Sequence, residues 1–290
     1  MNALNIPKKL LSTLPLLGAL AITGCIDDSS SSSTSALSDI ESDAEAKTLD
    51  IQTVLAVFAH PDDEISAAPL LAKFAREGKT VHLAVVTDGR WGGASNDEEA
   101  TALAATRALE TQCSTAALGL EEPILLEFED GEVAEDLYTI KATLAGLYES
   151  IEPDLVLTWG PEGGYGHKDH RLVSAITTDI FQAGSSDDAA WPEALYYSAL
   201  PESQVQGFTP TSQFGGLIQA VWGTTEEQYL QYTITVTDED VAAAKEAMAC
   251  HASQFDAANQ VDIAALIDAS NNTIYLRKAL TTGDAKTTLD

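Results

Sequence analysis

Apolar residues along the chain come in short unbroken runs separated by longer amphipathic stretches. Residues 54–59, 81–87, 124–128 and 155–159 are such runs, rich in Val, Leu, Ile and Phe. Runs of this length without polar alternation suit strands buried on both faces of a parallel sheet. Between them, residues 67–77, 100–118 and 136–150 carry helical spacing, and the first two stretches close at Gly78 and Gly119, the usual C-terminal punctuation of a helix. Strand alternating with helix predicts an α/β chain, a Rossmann-like and mostly parallel sheet with right-handed crossovers and helices on both faces. Beyond Trp191 the pattern loosens into aromatics and turn residues. Residues 229–237 alternate like an antiparallel strand, and Thr237-Asp238-Glu239-Asp240 opens a helix expected to reach Gln254. A C-terminal extension with antiparallel pairing is therefore expected.

The first 50 residues do not follow this rhythm. A basic start (Lys8, Lys9), an apolar stretch over residues 10–23 and then Gly24-Cys25 read as an export signal, too short for a bilayer span. Ile22-Thr23-Gly24-Cys25 resembles a bacterial lipobox, which implies cleavage after residue 24 and lipid attachment at Cys25. In such lipoproteins an Asp after the cysteine favours inner-membrane retention; Ile26 stands here, so the outer membrane is expected. Residues 25–50, with five serines in a row from Ser29 to Ser33, read as a flexible Ser/acid-rich tether. Residues 51–290 are expected to be a single catalytic domain, and the protein to be exported and lipid-anchored to the cell envelope.

Charge narrows the partners. The chain has 15 Lys+Arg against 45 Asp+Glu, a net charge of −30. The export segment contains two of those lysines and no acid, so the mature chain keeps 13 basic and 45 acidic residues. Nucleic-acid binding needs clustered cations and is not expected. An acidic surface also favours neutral substrates over phosphorylated ones.

Ligands of open parallel sheets sit beyond the carboxyl ends of the strands, and two of those ends are chemically rich. After the first strand comes Ala59-His60-Pro61-Asp62-Asp63-Glu64. After the fourth comes Gly163-Gly164-Tyr165-Gly166-His167-Lys168-Asp169-His170-Arg171. Three of the five histidines fall in these two segments. Imidazole and carboxylate together suit zinc, and a catalytic zinc keeps three protein ligands and an open position. His60, Asp63 and one histidine of the second segment make such a set.

Both segments resemble those of the PIG-L/LmbE-like zinc-dependent de-N-acetylases, over about residues 54–181 and weakly again over residues 245–254. The resemblance implies a hydrolase that releases acetate from an N-acetylated sugar or glycan. His60, Asp63 and His170 would hold one Zn2+ per chain, with Fe2+ or another divalent ion as an alternative. Asp62 would be the general base. His167 would stabilise the oxyanion or protonate the leaving amine, with Asp169 orienting its ring and keeping it protonated. Arg107 matches a family arginine close to the substrate; its plain reading is a helix ion pair with Glu110.

Two other functions use the same residues. Two histidines and a carboxylate are also the facial set of non-haem Fe(II) enzymes. A lipid-tethered carbohydrate-binding protein on a deacetylase scaffold would need no turnover. Cys113 and Cys250 either pair or remain separate buried thiols; His251 either reaches the site or packs. His82, inside the second strand, is assigned to packing. The aromatics beyond Trp191 suit a core or a sugar-stacking role.

Overall fold

The structure is a computed structural model that describes residues 47–184, 191–230, 232–279 and 287–288. The expected export signal, Cys25 and most of the expected tether lie outside the described residues. No helix among the described residues is long and apolar enough to cross a membrane.

In chain order the strands are β1 (Lys47–Thr48), β2 (Thr53–Phe58), β3 (Thr80–Thr87), β4 (Ile124–Phe128), β5 (Leu155–Thr158), β6 (Ala194–Ala199), β7 (Tyr232–Thr235), β8 (Thr273–Lys278) and β9 (Thr287–Thr288). The helices are α1 (Ala68–Arg76), α2 (Asp97–Leu118), α3 (Leu137–Ile151), α4 (Lys168–Ala183), α5 (Glu202–Gly207), α6 (Gln213–Val221), α7 (Asp238–Cys250) and α8 (Ala257–Asp268). Short β1 and β9 pair with each other in parallel. The other seven form one sheet in the order β4-β3-β2-β5-β6-β8-β7.

Pairing is parallel from β4 through β6 and antiparallel where β8 meets β6 and β7. This is the expected α/β fold with an antiparallel C-terminal addition. From β2 the chain winds outward through β3 and β4, then returns to place β5 on the other side of β2. The winding direction reverses between β2 and β5, the crevice where such sheets bind ligands. Val57 pairs with Thr158, so the loops carrying the two histidine segments emerge side by side.

Burial on both sheet faces explains the unbroken apolar runs. Val54, Ala56 and Phe58 pack under α1 with Leu70, Leu71 and Phe74. Leu55, Val57 and Ala59 face the other way, onto Ile140, Leu144 and Tyr148 of α3 and Val173 of α4. A third cluster joins α1, α7 and α8 through Ala68, Ala244, Met248 and Ile263.

Element boundaries move where caps decide them. Helix α2 begins at Asp97, three residues before the expected start, because the Asn96 side chain accepts from the Glu98 and Glu99 backbone N–H groups at 3.1 and 3.0 Å. Acidic residues in the first turn also favour the positive helix end. Helix α7 has the expected start, with a reciprocal cap between Thr237 and Asp240, but ends at Cys250 rather than Gln254. Strands β6 and β8 and helices α5, α6 and α8 were not legible in the sequence beyond Trp191.

Candidate active site

Strand β2 ends at Phe58, and the chain then turns sharply enough for the Asp63 carboxylate to reach back to it. Asp63 Oδ2 accepts from the Ala59 and His60 backbone N–H groups at 3.0 and 2.9 Å and from the Trp159 indole at 2.9 Å. Three donors fix the carboxylate and leave Oδ1 facing His170 Nε2 at 3.2 Å. His170, in the first turn of α4, donates from Nδ1 to the Gly163 carbonyl at 3.2 Å, and its ring stacks on Trp159 with centroids 4.7 Å apart. Gly163 has φ +67°, and a Cβ there would lie 2.7 Å from Arg171 Cγ and 3.0 Å from the His167 carbonyl. Only glycine fits this turn without strain.

The outer hydrogen bonds favour one tautomer of each neutral imidazole. His60 Nε2 faces two carboxylates, Asp130 at 3.1 Å and Asp169 at 3.4 Å. Carbonyl and carboxylate oxygens accept only, so His60 carries hydrogen on Nε2 and His170 on Nδ1. His60 Nδ1 and His170 Nε2 face each other at hydrogen-bond distance, 3.0 Å, with Asp63 Oδ1 3.2 Å from the latter. With both rings neutral, these two nitrogens and Asp63 Oδ1 can turn three lone pairs toward one divalent cation, and the outer hydrogen bonds favour the tautomers such ligation needs. Among the described residues, the groups whose three ligand atoms lie within 4.8 Å of one another are His60 with His167 and His170, and His60 with Asp130 and Asp169; Asp63 joins through its 3.2 Å contact with His170. Burial disfavours charge on His60, but Asp130, Asp169 and Asp63 outweigh it and hold its pKa well above the ordinary value. The pocket attracts positive charge.

Asp62 adopts φ 106°, a left-handed conformation costly for a residue with a side chain and a mark of functional sites. Its backbone N–H donates to Glu64 Oε2 at 3.1 Å, and its carboxyl lies 3.0 Å from Arg107 Nη2. Burial pushes the Asp62 carboxyl up to about 6, with Arg107 drawing it partly back. The expected helix ion pair between Arg107 and Glu110 is not made. Arg107 is 3% exposed, lines the same cavity, and donates to the Gly89 carbonyl at 2.7 Å and to the Pro61 carbonyl, so it holds the Asp62 loop. Glu110 turns instead to Ser253, accepting from its N–H at 2.7 Å and its hydroxyl at 2.6 Å.

His167 caps α4, its Nδ1 accepting from the Asp169 N–H at 3.2 Å. The half-buried ring is 4.7 Å from His60 between centroids. Burial, with the neighbouring His60 and His170, lowers its pKa. The expected contact between the Asp169 carboxylate and the His167 ring is not made. That carboxylate faces His60 and accepts the Gly131 N–H at 2.8 Å, so neutral His167 with hydrogen on Nε2 is the resting form.

Two groups escaped sequence reasoning. Asp130 follows β4 at the same sheet edge as the histidine loops, and the Glu129-Asp130-Gly131 turn after a strand was the available signal. Glu64, read only as part of the motif, is fully buried and accepts from His251 Nε2 at 2.6 Å and Ser114 Oγ at 2.5 Å. His251 is thus behind the Asp62 loop. Cys113 and Cys250, adjacent to Ser114 and His251, form a disulfide joining α2 to α7. His82 is in β3, paired with Leu55.

The sequence and the fold are each similar to known proteins. Residues 55–181 match the family model of PIG-L, GlcNAc-PI de-N-acetylase. The match runs from β2 to α4 and holds both histidine loops. The 1D-myo-inositol 2-acetamido-2-deoxy-alpha-D-glucopyranoside deacetylases of Rhodococcus erythropolis and Mycolicibacterium gilvum are 32% and 30% identical over 172 residues, covering 51% and 50% of this chain. The match spans only 58% and 57% of those proteins' own lengths. In fold, the chain is similar to N,N'-diacetylchitobiose deacetylase from Pyrococcus horikoshii, with TM-score 0.60 and 18% identity over 79% of this chain and 84% of that one. It is also similar to 4-carboxy-2-hydroxymuconate hydratase from Pseudomonas putida, with TM-score 0.55 and 17% identity over 80% and 98%. The fold therefore hosts more than amide hydrolysis, and the chemistry must be argued from the PIG-L-like loops.

Proposed function

We propose that the protein is a metal-dependent amidohydrolase that removes the N-acetyl group of a neutral amino sugar or glycan. The observation that carries this reading is the convergence of His60 Nδ1, His170 Nε2 and Asp63 Oδ1, beside the Asp62 carboxyl that Arg107 holds at 3.0 Å. Two imidazoles and one carboxylate with an open side suit Zn2+. A divalent ion held there supplies Lewis acidity toward the amide carbonyl and eases deprotonation of water.

Everything else falls to the chain. Asp62, ionised at neutral pH, accepts a proton from the attacking water. His167 directs its Nε2–H to the oxygen that gains charge as the carbonyl carbon becomes tetrahedral. Protonated Asp62 then hands that proton to the departing nitrogen. The carbon–nitrogen bond breaks, and water has been added across it to give acetate and a free amine. Asp130 and Asp169 keep the His60 tautomer, while Arg107 and Glu64 hold the backbone turn that aims Asp62.

Export is part of the proposal. A disulfide between Cys113 and Cys250 fits an oxidising compartment, in agreement with the amino-terminal export pattern and a lipid anchor at Cys25. The test is acetate release from N-acetylglucosamine, diacetylchitobiose and longer N-acetylated glycans, with chelation expected to abolish turnover and Zn2+ to restore it. Mass spectrometry of the intact exported protein reads the anchor separately. Failure to release acetate from every amino sugar would overturn the reading, and restoration by Fe2+ alone would overturn the choice of zinc.

A further inference from the structure

The groups that hold Asp62 come from a different part of the fold than those that hold the candidate metal ligands. Asp63 and His170 are fixed by the Ala59 and His60 N–H groups, the Trp159 indole and the Gly163 carbonyl, all at the ends of β2 and β5. The Asp62 loop is held instead from α2 and α7. Arg107 of α2 meets the Asp62 carboxyl and the Pro61 carbonyl. Glu64 accepts the Asp62 N–H on Oε2, while its Oε1 accepts from Ser114 of α2 at 2.5 Å and from His251, the C-terminal cap of α7, at 2.6 Å.

The disulfide joins these two helices at the same level. Cys113 immediately precedes Ser114 and Cys250 immediately precedes His251, so the bond fixes the spacing of the two donors that grip one oxygen of Glu64. The other oxygen of that carboxylate holds a backbone bent to φ 106° at Asp62, a conformation that persists only while its surroundings enforce it. Cys113 is exposed and Cys250 half-buried, which opens the bond to thiol–disulfide exchange from solvent. Hydrogen bonds from Ser253 to Glu110 tie the segment after α7 to α2 as well, so loss of the disulfide loosens the clamp and leaves the fold standing.

We infer that the Cys113–Cys250 disulfide is a positioning element of the reaction: oxidised, it aims Asp62, and its reduction lowers turnover while the candidate metal ligands stay in place. The inference rests on the amidohydrolase reading and adds a redox control to that site. A dithiol supplies the two electrons. One of its thiolates attacks a disulfide sulfur, its second thiolate resolves the mixed disulfide, and the products are two protonated cysteine thiols and the cyclic disulfide of the reductant. Competence is thereby linked to an oxidising compartment.

The metal-loaded protein is assayed oxidised, after dithiothreitol, and after reoxidation, well below the melting temperature of the reduced form. Reduction is expected to lower kcat by about tenfold or more, within the 10²–10⁴-fold that a general base typically contributes, with KM and metal content unchanged, and reoxidation to restore it. Cys113→Ala/Cys250→Ala should match the reduced protein and ignore the reductant, which separates loosening of the clamp from chelation. Hydrogen exchange at the Asp62 amide, followed by mass spectrometry on peptides from residues 58–68, reads the loop without turnover and should accelerate on reduction. If the double variant fails to fold, kcat, metal content and exchange through the wild-type redox cycle decide alone. Equal kcat and equal exchange in both redox states overturn the clamp and leave the proposed reaction standing. A loss of kcat that the double variant also suffers under dithiothreitol is metal removal and overturns the clamp too. Redox-dependent exchange with no turnover of any amide overturns the reaction and keeps the clamp.

Discussion

The buried pair behind the Asp62 loop gives the sharpest quantitative expectation. Glu64 and His251 are both fully buried, 2.6 Å apart, and belong to segments 187 residues apart in sequence. Burial opposes both charges, yet each partner shifts the other toward its ionised form, lowering the Glu64 pKa and raising that of His251. His251→Leu keeps the bulk and strands the carboxylate. Removing one partner of a buried ion pair costs about 3–5 kcal/mol. At about 2–4 °C per kcal/mol for a domain of this size, the melting temperature should fall by roughly 6–20 °C. Ser114 still donates to Glu64 at 2.5 Å and the Asp62 N–H at 3.1 Å, which places the expectation in the lower half of that range. Differential scanning calorimetry on the oxidised protein measures the shift, and urea titration with an unchanged slope confirms that the native state lost stability. The Glu64→Leu/His251→Leu double variant should be less unstable than the two single losses combined, since no lone charge remains buried. A His251→Leu protein that melts within 2 °C of wild type, or a strictly additive double variant, would refute a charged pair.

Other expectations follow from single contacts. Asp62→Asn should keep the metal, because its carboxyl is outside the convergent set, yet lower kcat by about 10²–10⁴-fold; metal content and initial rates are measured on the same sample, and near-normal turnover removes Asp62 from the reaction. Reducing Cys113–Cys250 should cost about 2–5 kcal/mol, read as a lower melting temperature under reductant that the Cys113→Ala/Cys250→Ala variant reproduces without it. Asp262 is fully buried, and although burial raises its pKa, donors from Ser212 and Thr211 overcome this and bring it to about 2. Its folded pKa lies below the ordinary value near 3.9, so its stabilisation is complete above about pH 4 and is lost as pH falls toward 2. Asp262→Asn should be less stable at neutral pH and show a flatter decline over that window, and an unchanged acid limb would argue against the assignment.

Much of this protein is local in character. Strands β2, β3, β4 and β5 are legible because a strand buried on both faces needs an unbroken apolar run, and their helices because spacing and glycine punctuation are properties of neighbouring residues. His60, Asp62, Asp63 and His170 could be singled out because sheets of this kind place their chemistry at strand ends, and the ligand types sit within a few residues of two such ends. The region beyond Trp191 was less legible: β6 pairs with β8 across the whole of the intervening α5, α6, β7, α7 and α8, and α8 packs against α7 rather than against a sheet face.

The contacts that make the site work were decided by packing. No sequence pattern says that Arg107 will close on the Pro61 and Gly89 carbonyls, that Asp169 will serve His60 rather than His167, or that Glu64 will meet His251 across 187 residues. Each follows from which elements the sheet brings side by side, and from the rule that a buried charge or N–H takes whichever partner lies within about 3 Å. Residue type and local spacing specified which chemistry the chain carries. Tertiary structure decided which atom faces which, because hydrogen-bond direction and desolvation depend on neighbours that only the folded chain supplies.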